Sequence, residues 1–177
     1  MDELGQFLIL FSRWLIGILF LVSSLGKART LPAFQIAIRN FKMVPESLIP
    51  LFAYSLLVSE IITCLFMLFG GIFLPIGFAL AVFQLIAFLI ALVYVLIKGY
   101  QTSCNCFGPS SKIVTRFDVG RNIFFILVAM IGGTITVISG TYQTALDIGG
   151  SILIGLIASA CILIAINLKE ISFIVAG

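Results

Sequence analysis

Apolar residues run along this chain in long blocks separated by short polar stretches. A helix that crosses the hydrocarbon core of a membrane needs roughly 20 apolar residues. Five blocks meet this length, at about 7–25, 48–69, 72–97, 120–138 and 148–168. The pattern predicts an all-α fold: one polytopic helical-bundle domain over residues 1–177, with about five transmembrane helices. Gly70, Gly71 and Pro75 mark a tight turn between the second and third spans, and Ser139-Gly140-Thr141 starts the connection between the fourth and fifth.

Two connections are longer and carry most of the charge. The first, 26–47, holds Lys27, Arg29, Arg39 and Lys42. Within it Phe34, Ala37, Ile38 and Phe41 share one helical face, with Arg39 and Lys42 off that face. This is the pattern of a short helix lying in the membrane interface. The second connection, 98–119, holds Lys98, Lys112 and Arg116 around two cysteines. It ends in Thr115-Arg116-Phe117-Asp118, a capping box that opens the fourth span. With five spans both connections lie on one side, and the positive-inside rule places that side in the cytoplasm.

Composition narrows the class. The chain is 62% hydrophobic and 10% charged, whereas a soluble domain carries roughly 25% charged residues. Lipid is therefore the solvent for most of its surface. A formal charge of +3 gives no case for nucleic acid. The chain has no histidine, which removes the most frequent metal ligand, the usual haem ligand and the default general base. Asp2, Glu3 and Arg13 do not fit a cleaved signal, so the first block is expected to be the first membrane helix.

The chemistry concentrates at Cys104-Asn105-Cys106-Phe107-Gly108, at the water boundary. Disulfides prefer Cα separations of about 4.4–6.8 Å, which a Cys-x-Cys pair reaches only with strain. Strained, exposed disulfides are labile or catalytic rather than structural. Nearby Lys and Arg favour the reactive thiolate. The other readings are two thiols without a role, or half of a metal site. A four-cysteine zinc site is disfavoured because Cys64 and Cys161 fall inside spans, where they are expected to be packing residues. No metal is expected.

Glu60 lies near the middle of the second span, where a carboxylate costs roughly 2.5–3.5 kcal/mol on the insertion scale. Arg13 lies in the first span. Counted from the helix centres, the two fall at similar depth and could pair. Such a pair either fixes helix packing or forms a polar site for a quinone head group or a proton path. Lys27, Arg29 and Arg121-Asn122 stand at span ends, where snorkelling to the interface accounts for them. They also allow a cationic site around the cysteine pair. The candidate site is thus Cys104 and Cys106 for redox chemistry, with Glu60, Arg13, Lys27 and Arg121 as a quinone or polar site.

The order of these residues resembles a known family. It runs from an arginine in the first span through Gly26-Lys27, Pro45, Glu60 and Lys98-Gly99. It continues with Cys104-Asn105-Cys106-Phe107-Gly108 and ends at Arg121-Asn122. This is similar to the MauE branch of the DoxX-like membrane proteins, over roughly residues 10–135. The resemblance implies a small membrane bundle that supports disulfide formation or electron supply for a secreted client, in company with a thioredoxin-like protein, as in maturation of methylamine dehydrogenase. It implies that Cys104 and Cys106 are the redox pair and face outward, against the charge count. The competing readings are a membrane scaffold or accessory subunit whose cysteines staple the connection, and a small transporter or immunity-type protein that uses the Arg13–Glu60 region.

Overall fold

The structure, a computed structural model, describes residues 3–100, 114–140 and 148–175, with side chains in the last helix described over 150–165. The described residues form six helices: α1 (Glu3–Arg29), α2 (Leu31–Phe41), α3 (Ile49–Phe69), α4 (Leu74–Lys98), α5 (Arg116–Ser139) and α6 (Ile148–Val175). Their boundaries follow local chemistry. Glu3 stands in the first turn of α1 and Lys27 and Arg29 in the last, each complementing the helix dipole. Pro32, Pro50 and Pro75 sit at the starts of α2, α3 and α4, where a missing N–H removes no intrahelical bond. Thr115 opens α5. Its backbone N–H and its hydroxyl both donate to Asp118 Oδ2, at 2.8 and 3.0 Å, as the capping-box spacing predicts.

α1, α3, α4 and α5 close a four-helix ring in which each packs on the next, and α6 lies outside the ring against α1. α6 presents Ile154, Ala158, Ile162 and Ala165, spaced on one helical face, to that contact. The core of the ring holds Leu15, Ile16, Leu19, Phe20, Met67, Phe78 and Phe125. Small residues bring the backbones close. An added Cβ at Gly132 would stand 2.5 Å from Ser12 Cβ and 2.8 Å from Phe78 Cζ, so only glycine permits this approach of α5 to α1 and α4.

Four helices are long and apolar enough to cross a membrane: Glu3–Arg29, Glu46–Phe69, Gly71–Lys98 and Arg116–Ser139, the second and third counted with the 3-10 turns that lead into α3 and α4. α6 adds a shorter apolar stretch, Gly150–Ala165. Outward faces carry exposed Leu51, Val58, Phe83, Val137 and Leu153, as a lipid-solvated surface requires. This is a multi-pass membrane protein.

α3 and α4 are joined at Gly70 and Gly71, both at positive φ (65° and 58°), and they stay in contact where Gly77 meets Phe66. Toward their other ends a cavity lies between them. α2 bridges that opening. Its Phe34 and Ile38 pack on Ile49 and Ala53 of α3, and its Phe41 packs on Leu92 and Val95 of α4 and on Val114. The face expected from the sequence, Phe34, Ala37, Ile38 and Phe41, is buried, and the covering is protein. Lys42 ends α2 in the left-handed region (φ 53°), with its ammonium 5.1 Å from the Tyr100 ring centre.

Candidate functional site

A buried ion pair lies inside the ring. Lys27, in the last turn of α1, points back along the helix, and its ammonium pairs with Glu60 Oε1. The two side chains are 5% and 9% exposed, so neither charge is solvated by bulk water. The Ser23 hydroxyl, one turn before Lys27, reaches both Glu60 oxygens, at 3.2 and 3.3 Å. The Lys27 ammonium also stands 4.9 Å from the ring centre of Phe34, an attractive contact with the aromatic face. A carboxylate at mid-helix thus carries a cation and a hydroxyl, the compensation that a buried charge requires.

Further polar groups line the same space. Gln84 of α4 is held against α3: its amide donates to Thr63 Oγ1 at 2.6 Å, and its carbonyl accepts from the Ser59 hydroxyl at 3.1 Å. Asn122 of α5 donates to the Leu85 carbonyl of α4 at 2.8 Å. Arg121 pairs with Asp118, one turn earlier on α5, at 3.2 Å. Around these groups is a cavity of about 450 Å³. α1 gives it Phe20, Ser23 and Lys27, α3 gives Phe52, Leu56 and Glu60, α4 gives Gln84, Phe88 and Ile90, and α5 gives Arg121, Asn122 and Phe125. Phe34, Ile38 and Phe41 of α2 cover its end.

The family model of methylamine utilisation protein MauE matches residues 5–135. The chain belongs to the MauE family. Curated proteins and solved structures gave no match. The MauE match covers α2 to α4, nearly all of α1, α5 as far as residue 135, and every residue that lines the cavity, and α6 lies beyond it.

Within this MauE fold the residues singled out from sequence are divided. Glu60, Lys27 and Arg121 border one cavity. Arg13 does not join them, and the expected Arg13–Glu60 pair does not form. α1 and α3 run antiparallel in a register that sets Ser23 and Lys27 beside Glu60 and Arg13 beside Met67 and Leu68. Ser23 is ten residues from Arg13, which is about 15 Å along the helix. Arg13 instead donates through Nε to the Met67 carbonyl at 2.6 Å and through Nη2 to the Leu68 carbonyl at 2.7 Å. It thereby satisfies carbonyls that the end of α3 leaves open. Lys27 also departs from expectation: it turns inward to Glu60 rather than out to the interface.

Cys64 is buried and Cys161 half-buried, both free thiols within the apolar core, as their place inside spans suggested. Cys104 and Cys106 lie outside the described residues. The flanking residues are described: Tyr100 and Val114 both pack in the cluster of Phe41, Leu92 and Val95, beside the covered end of the cavity. Sequence reasoning did not place Ser23 or Gln84 in the site and named Asn122 only as a neighbour of Arg121. The available signal was a lone polar residue in an apolar run, most visible at Gln84.

Proposed function

We propose that this MauE-family membrane protein is a thiol–disulfide redox protein, with Cys104 and Cys106 as its working pair. The observation that carries the reading is the Cys104-Asn105-Cys106 motif within the family match, on a connection whose flanking residues pack beside a mostly apolar cavity that holds a few polar groups. A thiolate of a secreted or thioredoxin-like client attacks the 104–106 disulfide and forms a mixed disulfide. The second client thiol displaces it, so the client gains a disulfide and Cys104 and Cys106 become thiols. Reoxidation re-forms the S–S bond and releases two electrons and two protons. A lipid-soluble acceptor of the quinone class takes up both and becomes the quinol.

The test is to trap the mixed disulfide in cells with Cys106→Ser and with Cys104→Ser. A client linked to at least one single-cysteine variant supports the reading. If neither variant traps a client and the double serine variant leaves the redox state of secreted proteins unchanged, the reading fails. A second reading, a scaffold or accessory subunit, is favoured by the hydrogen-bonded Lys27–Glu60–Ser23 group, which fits a packing role without chemistry. It predicts that losing the cysteines lowers the abundance of the protein while client disulfides still form.

A further inference from the structure

We infer that the cavity holding the Lys27–Glu60 pair is a binding site for an isoprenoid quinone, entered from the bilayer between α3 and α4. The assignment rests on the redox reading above for its choice of a redox-active occupant. Its other grounds are structural. At about 450 Å³ the cavity falls in the usual range for small-molecule sites, roughly 300–1,000 Å³. It is apolar along most of its length and polar at one end, so it suits a molecule with a greasy tail and a small polar head.

The way in is lateral. Met43, Phe52 and Ile90 line the cavity and are exposed, at 45%, 42% and 57%. Phe52 of α3, Ile90 of α4 and Met43, just after α2, border the cavity beside the place where α2 spans the two helices. That face continues into the exposed apolar surface of both helices, so an occupant arrives from hydrocarbon and leaves its tail there.

The polar end selects a neutral head. Lys27 is matched by Glu60, and Arg121 by Asp118. A phosphate or carboxylate head would bring a charge with no matching cation into a space sheltered from water, which is costly. A head that only accepts hydrogen bonds carries no such penalty. The Lys27 ammonium has three N–H groups, of which the carboxylate of Glu60 engages one. Quinone carbonyl oxygens are acceptors of this kind. The rings of Phe20, Phe34, Phe88 and Phe125 supply flat faces for a flat ring.

The test is a calorimetric titration of the full chain, in phosphatidylcholine nanodiscs, with decylubiquinone. Saturable binding is expected. Ala91→Trp fills the cavity without touching the ion pair, and Lys27→Met removes the donor. Each should weaken binding by about tenfold or more, equivalent to about 1.4 kcal/mol. Gel filtration of each variant confirms that it is folded, and Ala91→Trp keeps the test decisive if Lys27→Met does not fold. Neither dodecanoate nor diacylglycerol should compete. Absence of saturable binding, full affinity in folded Ala91→Trp, or displacement by diacylglycerol overturns the assignment. A client trapped on the cysteines without quinone binding overturns this site and leaves the redox reading standing. Quinone binding without a trapped client, and with the redox state of secreted proteins unchanged in the double serine variant, supports the site and removes the redox reading.

Discussion

Breaking the Lys27–Glu60 pair from either side should have unequal consequences. Glu60 is eleven residues from the start of α3 and nine from its end, so its carboxylate is about 13–16 Å from either terminus and too short to escape. Lys27 is two residues from the end of α1 and has a long flexible stem, so its ammonium can turn outward toward the interface when its partner is lost. Lys27→Met therefore strands a buried carboxylate that keeps only Ser23, and should cost about 3–5 kcal/mol. Glu60→Gln strands a cation that can relocate. It should cost about 1–3 kcal/mol, the range for a group losing a buried partner. Lys27→Met with Glu60→Met removes both charges and should return to within about 1 kcal/mol of the parent, because apolar replacement of a buried pair is often neutral. The assay is reversible unfolding in mixed micelles with increasing dodecyl sulfate, followed by helical circular dichroism. Equal losses for the two single variants, or a double variant at the sum of both, would refute the reasoning.

Other substitutions probe the frame around the site. Gly132→Ala sets a methyl group 2.5 Å from Ser12 Cβ and should lose about 1–3 kcal/mol in the same unfolding assay. Gly120→Ala, with nothing within 4 Å of the new Cβ, should hold or gain about 0.5–1 kcal/mol from helix propensity. Arg13→Gln removes charged donors from the Met67 and Leu68 carbonyls and should cost about 1.5–3 kcal/mol, of which Arg13→Lys recovers only part. With Cys104 and Cys106 replaced by serine, Cys64 should resist a maleimide in the native bundle and react once dodecyl sulfate unfolds it, read as a mass shift. A membrane-impermeant thiol reagent applied to whole cells, before and after reduction, should label Cys104 and Cys106 only after reduction if the pair is an outward-facing disulfide.

The helices were legible because each depends on a local run. The second span, expected near 48–69, is α3 at Ile49–Phe69, and the third, near 72–97, is α4 at Leu74–Lys98. The Thr115–Asp118 cap was legible for the same reason, since four adjacent residues determine it. The partner of Glu60 was not. Pairing across helices depends on their register, and that depends on how far each extends. α1 runs from Glu3 to Arg29, longer at both ends than its apolar block at about 7–25, which places Lys27 inside the bundle. The role of α2 was half legible: its periodicity gave the buried face of Phe34, Ile38 and Phe41, but not the two helices that cover it.

The two ends of the bundle differ in one further respect. Arg13 ties off the α3–α4 turn on one side, and the Lys27–Glu60 pair lies about 15 Å away along the helices. The hydrocarbon core of a bilayer is about 30 Å thick, so that distance spans half of it. The gap between α3 and α4 therefore faces a single leaflet, while the other leaflet meets helices closed against each other. A molecule that enters by that gap comes from one monolayer, set by the orientation of the protein across the membrane.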